Sequence, residues 1–185
     1  MKKILILSAL MTALTSAGAM AADANVNFTG TVSAATCTLN AADASKTLTM
    51  PNVSAATLFA AGSGAYTTYA ASSSFEFTAC PAGLTRVTSA YTYQGSTIPA
   101  TVWDSVPTGT ATNVSLVVMQ SATPNGSSTV SPTGTTAALN QVNIVSNAAT
   151  VPVSVGIRAY NTAGTLTLPT VGTYTGTYLV AFTYS

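Results

Sequence analysis

The stretch that decides the fold is Gly172-Thr-Tyr-Thr-Gly-Thr-Tyr-Leu-Val-Ala-Phe-Thr-Tyr-Ser185. Every second residue from Gly172 to Tyr184 is glycine, aromatic or apolar: Gly172, Tyr174, Gly176, Tyr178, Val180, Phe182 and Tyr184. Threonine fills most positions between. Side chains of a strand alternate between its two faces, so this reads as one long strand with an apolar face and a hydroxyl-rich face. It runs almost to the chain end, where residues fray unless a neighbour ties them down. Such a strand needs a partner.

A second strict alternation lies near the other end. Ala22, Ala24, Val26, Phe28, Gly30, Val32 and Ala34 alternate with Asp23, Asn25, Asn27, Thr29, Thr31 and Ser33. Upstream of it, Lys2 and Lys3, the mostly apolar run Ile4–Leu14 and the small-x-small triplet Ala19-Met20-Ala21 predict a secretory signal peptide over residues 1–21. The apolar run is too short for a bilayer-spanning anchor, and polar Thr15 and Ser16 follow it.

Cleavage after Ala21 leaves a chain of one-domain size. Its cations are Lys46, Arg86 and Arg158, and its anions are Asp23, Asp43, Glu76 and Asp104. The net charge is then about −1, which offers no basic surface to nucleic acid or anionic lipid. So little charge favours association between copies. Hydrophobic residues are 48% of the chain and charged residues 5%, the reverse of a disordered composition. The abundance of Thr, Val and Tyr suits pleated sheets. No segment carries a helical period with caps. Strands are predicted near 47–50, 74–80, 87–94, 114–120, 141–145, 151–160 and 172–184, an all-β sandwich or barrel. Residues 121–138, rich in Ser, Thr, Gly and Pro, read as a long surface loop.

Cys37 and Cys80 are 43 positions apart. Export implies an oxidising compartment, and a chain without histidine is a poor source of zinc ligands. A disulfide is the expected outcome, and loop entropy at this length is worth roughly 4 kcal/mol.

The absence of histidine also removes Ser-His and Cys-His nucleophiles. Asp43, Glu76 and Asp104 are the only carboxylates left for a glycosidase pair, and each is expected to solvate a loop or a sheet face. Ser45 beside Lys46 is a chance neighbour pair, and no phosphate-binding loop is present. The residues point to no enzyme, no metal and no cofactor. The Asn-x-Ser/Thr triplets at Asn27, Asn52, Asn113 and Asn125 are uninformative in so Ser- and Thr-rich a chain. Trp103, the one tryptophan, is expected to fill the core rather than to serve a ligand loop.

Taken in register, these features resemble the pilin subunits of chaperone–usher fimbriae, of the type 1 or P pilus kind. The residues that carry the resemblance are the signal segment, Val26-x-Phe28-x-Gly30-x-Val32, Cys37 seven positions after Gly30, and Cys80 closing a Phe75-x-Phe77 strand. Val151-Pro-Val-Ser-Val-Gly-Ile-Arg-Ala-Tyr160 and the terminal strand, with its penultimate tyrosine, complete it. Residues 95–140 carry no motif of that family.

The resemblance implies an incomplete immunoglobulin-like β-sandwich over residues 35–185 that lacks its last strand. It implies that Ala22–Ala34 is a donor strand, with Val26, Phe28, Gly30 and Val32 entering the groove beside Gly172–Tyr184 of a neighbouring subunit. The partners it implies are other copies or related pilins, a periplasmic chaperone whose basic residues hold the Ser185 carboxylate, and an outer-membrane usher. The destination is then a fimbria on the cell surface, a major subunit rather than a minor adaptor if the nearly neutral surface is a guide. The residues alone leave two alternatives: a secreted monomeric β-sandwich in which Ala22–Ala34 pairs with its own terminal strand, and a receptor-binding tip adhesin. The receptor is not legible.

Overall fold

The structure, a computed structural model, describes residues 36–185. The signal segment and Ala22–Ala34 lie outside the described residues. Ten strands appear: β1 (Thr38–Leu39), β2 (Ala70–Thr78), β3 (Arg86–Tyr93), β4 (Asp104–Ser105), β5 (Thr108–Gly109), β6 (Ser115–Met119), β7 (Gln141–Asn143), β8 (Ala149–Arg158), β9 (Tyr174–Thr175) and β10 (Tyr178–Tyr184). One sheet has the order β1-β2-β8-β6-β4, a second β10-β3-β7, and β5 and β9 form a short ribbon. All pairings between these strands are antiparallel.

The two larger sheets share one core, as the alternation predicts. Phe75, Phe77, Val118, Val151 and Val153 from the first sheet meet Val87 and Tyr91 from the second. The Cys37–Cys80 disulfide closes one end of this core and ties β1 to the end of β2. A second cluster, around Leu58, Tyr93, Leu116 and Ile157, fills the other end.

Strands β2, β3, β6, β7 and β8 fall within a few residues of their predicted places. Three expectations are corrected. Thr47–Met50 is not a strand. Two short helices, α1 (Ala55–Ala60) and α2 (Ala65–Thr68), follow it instead. Ser54 caps α1, its hydroxyl accepting the Thr57 N–H at 3.1 Å. And Gly172–Tyr184 is not one strand. Tyr174–Thr175 pairs with β5, and the chain changes partner at Gly176–Thr177 to pair with β3 from Tyr178 onward.

The loop 121–138 is irregular, as expected, but not free of the core. Val130 is buried, its N–H donates to the Val118 carbonyl at 3.1 Å, and bridges join Met119 to Thr129 and Thr92 to Thr133.

Helix α2 lies directly on β8 at Gly156. A Cβ there would collide with the Tyr66 carbonyl and its Cα. Glycine is required by this close approach rather than by its backbone angles. Gly156→Ala should lower stability by about 1–3 kcal/mol, the usual cost of overpacking. A guanidinium midpoint unchanged from wild type would show that α2 yields freely.

Candidate functional site

Most strand edges in the two main sheets are short: β1 and β4 each have two residues and β7 has three. β10 is different. It has seven residues and, among the described residues, pairs on one side only, with β3. Alternate main-chain groups of an antiparallel strand point away from its one partner, so β10 presents a row of them outward.

The register fixes which side chains face inward. Tyr178, Val180, Phe182 and Tyr184 stand opposite Tyr93, Tyr91, Ser89 and Val87. All four positions on β3 are buried. Their four counterparts on β10 are only half-buried, although they pack on the same core. The core is therefore closed at β3 and open along β10. Aromatic side chains from the opposing sheet form the far wall. Phe182 meets Phe75 and Phe77 edge-on, at centroid distances of 5.2 and 4.8 Å, and Tyr184 meets Phe77 at 6.1 Å. Half-buried Leu39 of β1 packs on the same cluster. Phe75, Phe77 and Leu39 were not singled out as groove residues from the sequence. The Phe-x-Phe alternation was the signal available.

Burial pushes the Tyr178 and Tyr184 hydroxyls above their ordinary pKa. Tyr178 also shares a 3.1 Å hydrogen bond with the Ser105 hydroxyl and packs on Tyr93 at 5.0 Å. Tyr91, behind Val180, is pushed up to about 12 by desolvation. Its buried hydroxyl has no partner within hydrogen-bond distance among the described residues. These are neutral, apolar surroundings that suit uncharged side chains.

The remaining residues of the terminal stretch sit beyond β10. Gly176 rests on the core, where a Cβ would press on Leu116 and the Tyr93 ring. Gly172 and Tyr174 border an apolar cavity of about 270 Å³, whose other walls include Val53, Leu58 and Val171. Ser185 is engaged by its own chain. Its main-chain oxygen accepts the N–H groups of Thr85 (2.6 Å) and Arg86 (2.8 Å) and the Thr85 hydroxyl (3.0 Å), and its N–H donates to the Arg86 carbonyl. Val26, Phe28, Gly30 and Val32 lie outside the described residues.

The charged groups are structural, and two expectations about them fail. Asp104 does not solvate a loop. It is fully buried, accepting Ser115 Oγ at 2.6 Å and Arg158 Nε at 2.8 Å on Oδ1 and pairing with Arg158 Nη2 through Oδ2. Arg158 also lies over the Tyr160 ring, 3.9 Å from its centroid. Asp43 is buried as well, bonded to the Glu76 N–H at 2.6 Å and to Lys46 at 2.7 Å, contacts that hold its carboxyl below the usual range. Glu76 is lowered by hydrogen bonds from Thr150 and Ser74. Trp103 is corrected too: it is 42% exposed, next to Val102 at a left-handed φ of 43°. A β-branched residue in that conformation marks a sharp turn, which carries the indole out of the core.

No protein-family model matches the chain, and no curated protein matches it. Solved structures do. One is a chaperone–usher pilus, determined for the molecular basis of rod uncoiling. It superposes with a TM-score of 0.62 at 16% identity, over 89% of this chain and 97% of that one. Another is the P pilus rod subunit PapA, with a TM-score of 0.59 at 14% identity, over 80% of this chain and 99% of that one. The fold is thus the incomplete immunoglobulin-like sandwich of such pilins.

Proposed function

We propose that this chain is a structural subunit of a surface fimbria and polymerises by donor-strand exchange. One observation carries the reading: a seven-residue strand whose outer edge has no partner among the described residues, and whose inward side chains are half-covered while those of its paired strand are buried. A bare edge over an open core is an aggregation hazard that a cell has to manage. A strand laid along β10 removes both defects at once.

The alternating stretch Ala22–Ala34 of a neighbouring copy is the proposed strand. Val26, Phe28 and Val32 enter the groove, and Gly30 admits the close approach of the two backbones. Burying one Phe and two Val side chains contributes roughly 4–9 kcal/mol at about 1.5–3 each. Ladder hydrogen bonds add about 1 kcal/mol apiece, and ordering the donor takes part of this back. A periplasmic chaperone covers the groove before assembly, and an outer-membrane usher delivers subunits to the surface. If the chaperone anchors on Ser185, it replaces the contacts to Thr85 and Arg86. The role is structural rather than catalytic.

Electrophoresis in SDS tests the reading. Protein taken from the cell surface should run as a ladder of multiples when unheated, because a whole strand must be peeled from its groove. Boiling in acid should collapse the ladder to one band. A single monomer band under both conditions would favour a self-paired terminal strand and a stand-alone secreted module.

A further inference from the structure

A second cavity, of about 280 Å³, lies apart from β10, between the turn after β8 and the segment that joins β4 to β6. We propose that it binds one neutral sugar ring. Its volume is close to the lower end of small-ligand sites, roughly 300 Å³. That is room for a single ring and not for a chain of them.

Its lining sets the chemistry. Buried Ile98 and Val114 supply an apolar floor. Tyr160 supplies an aromatic wall, held in place by the Arg158 guanidinium stacked on it at 3.9 Å. Among the described residues no carboxylate, lysine or arginine lines the cavity, and the nearby Arg158 is already neutralised by Asp104. An ionic ligand would find no counter-charge there.

The polar side chains are two amides and the hydroxyls of Thr112, Tyr160 and Thr162, and part of their bonding capacity is unspent. Asn161 Oδ1 accepts the N–H groups of Ala163 (3.0 Å) and Thr165 (2.9 Å), which fixes the side chain. Its Nδ2 has no partner among the described residues. Asn113 mirrors this. Its Nδ2 donates to the Leu168 carbonyl at 3.1 Å, which leaves Oδ1 to accept. The Thr162 hydroxyl stands exposed at the rim. A fixed donor, a fixed acceptor and a free hydroxyl around an apolar floor and a tyrosine match a pyranose, whose hydroxyls both donate and accept and whose C–H face is apolar. A purely apolar ligand would leave Asn161 Nδ2 and Asn113 Oδ1 unpaired, at a cost.

The proposal is independent of polymerisation, and the sugar readout does not require it. Full-length protein is purified in whatever assembly it adopts. Saturation-transfer NMR is then run with the methyl glycosides of glucose, galactose, mannose and N-acetylglucosamine. At least one should receive saturation from the protein. Thr162→Trp, which plugs the rim, and Asn113→Gly, which keeps the left-handed backbone (φ 57°), should each weaken that binding about tenfold or more, the scale of one lost contact. Both variants should keep the wild-type electrophoretic ladder. Transfer to none of the four sugars, or transfer that both variants leave unchanged, overturns the assignment.

Discussion

Asp104→Ala is expected to lower the stability of the purified full-length chain by about 3–5 kcal/mol, read as a fall in its guanidinium midpoint. The carboxylate is completely buried and pairs with both Nε and Nη2 of Arg158. Arg158 is itself only 9% exposed, set between the Tyr160 and Tyr66 rings. Removing Asp104 leaves a guanidinium in that place with one carbonyl, of Ser63 at 3.2 Å, as its remaining oxygen partner among the described residues. It also strips Ser115 of the oxygen to which its hydroxyl donates. Coulomb attraction in a poorly solvated site is strong, but most of the expected loss is the desolvation of the charge left behind.

A second variant separates these terms. Replacing both partners by apolar residues, Asp104→Leu with Arg158→Met, removes the ion and the orphaned charge together. It should recover most of the loss, because a buried pair against well-packed apolar groups comes out near even. If Asp104→Ala unfolds at the wild-type midpoint, the pair is solvated in a way its burial denies.

The same pair shows where reading from sequence stops. The charges of Asp104 and Arg158 are visible in the chain, but their contact spans 54 positions and depends on β4 and β8 lying on either side of β6. Nothing local to Asp104 signals burial. Trp103, its neighbour, fails for the opposite reason. Large aromatics are usually core residues, and the turn that turns this one outward appears only as the φ of Val102. Helix α1 spans six residues, too few for a period to show, so that its one local cue is the serine cap.

By contrast, β2, β3, β8 and β10 are legible because their apolar residues alternate, and β6 because it is a short apolar run buried at all five positions. The break at Gly176 is not legible. The alternation runs straight through it, and only the partner changes, from β5 to β3. Half of the candidate site is likewise in the sequence. The apolar face of β10 can be read from Tyr178, Val180, Phe182 and Tyr184, but that its outer edge has no partner among the described residues, and that its face is less covered than that of β3, are properties of sheet order.

Phe28→Asp and Val180→Asp should each abolish the SDS-resistant ladder, and together they should restore one rung of it. In the proposed assembly the first change puts a carboxylate on the donor and the second puts one on the groove. Val180 packs on the apolar core opposite Tyr91. A buried, unpaired carboxylate costs several kcal/mol in such a place, comparable to what the apolar contacts of the donor supply. A Phe28→Asp subunit keeps a sound groove, and a Val180→Asp subunit keeps a sound donor. Mixed during assembly, the donor of the second can fill the groove of the first. The resulting dimer has one ruined donor and one ruined groove at its free ends, so growth stops at two. A self-paired terminal strand predicts otherwise: each subunit would carry its own defect, and no mixture could repair it. A dimer band that appears only in the mixture separates exchange between copies from pairing within one, which the alternation of Ala22–Ala34 leaves equally open.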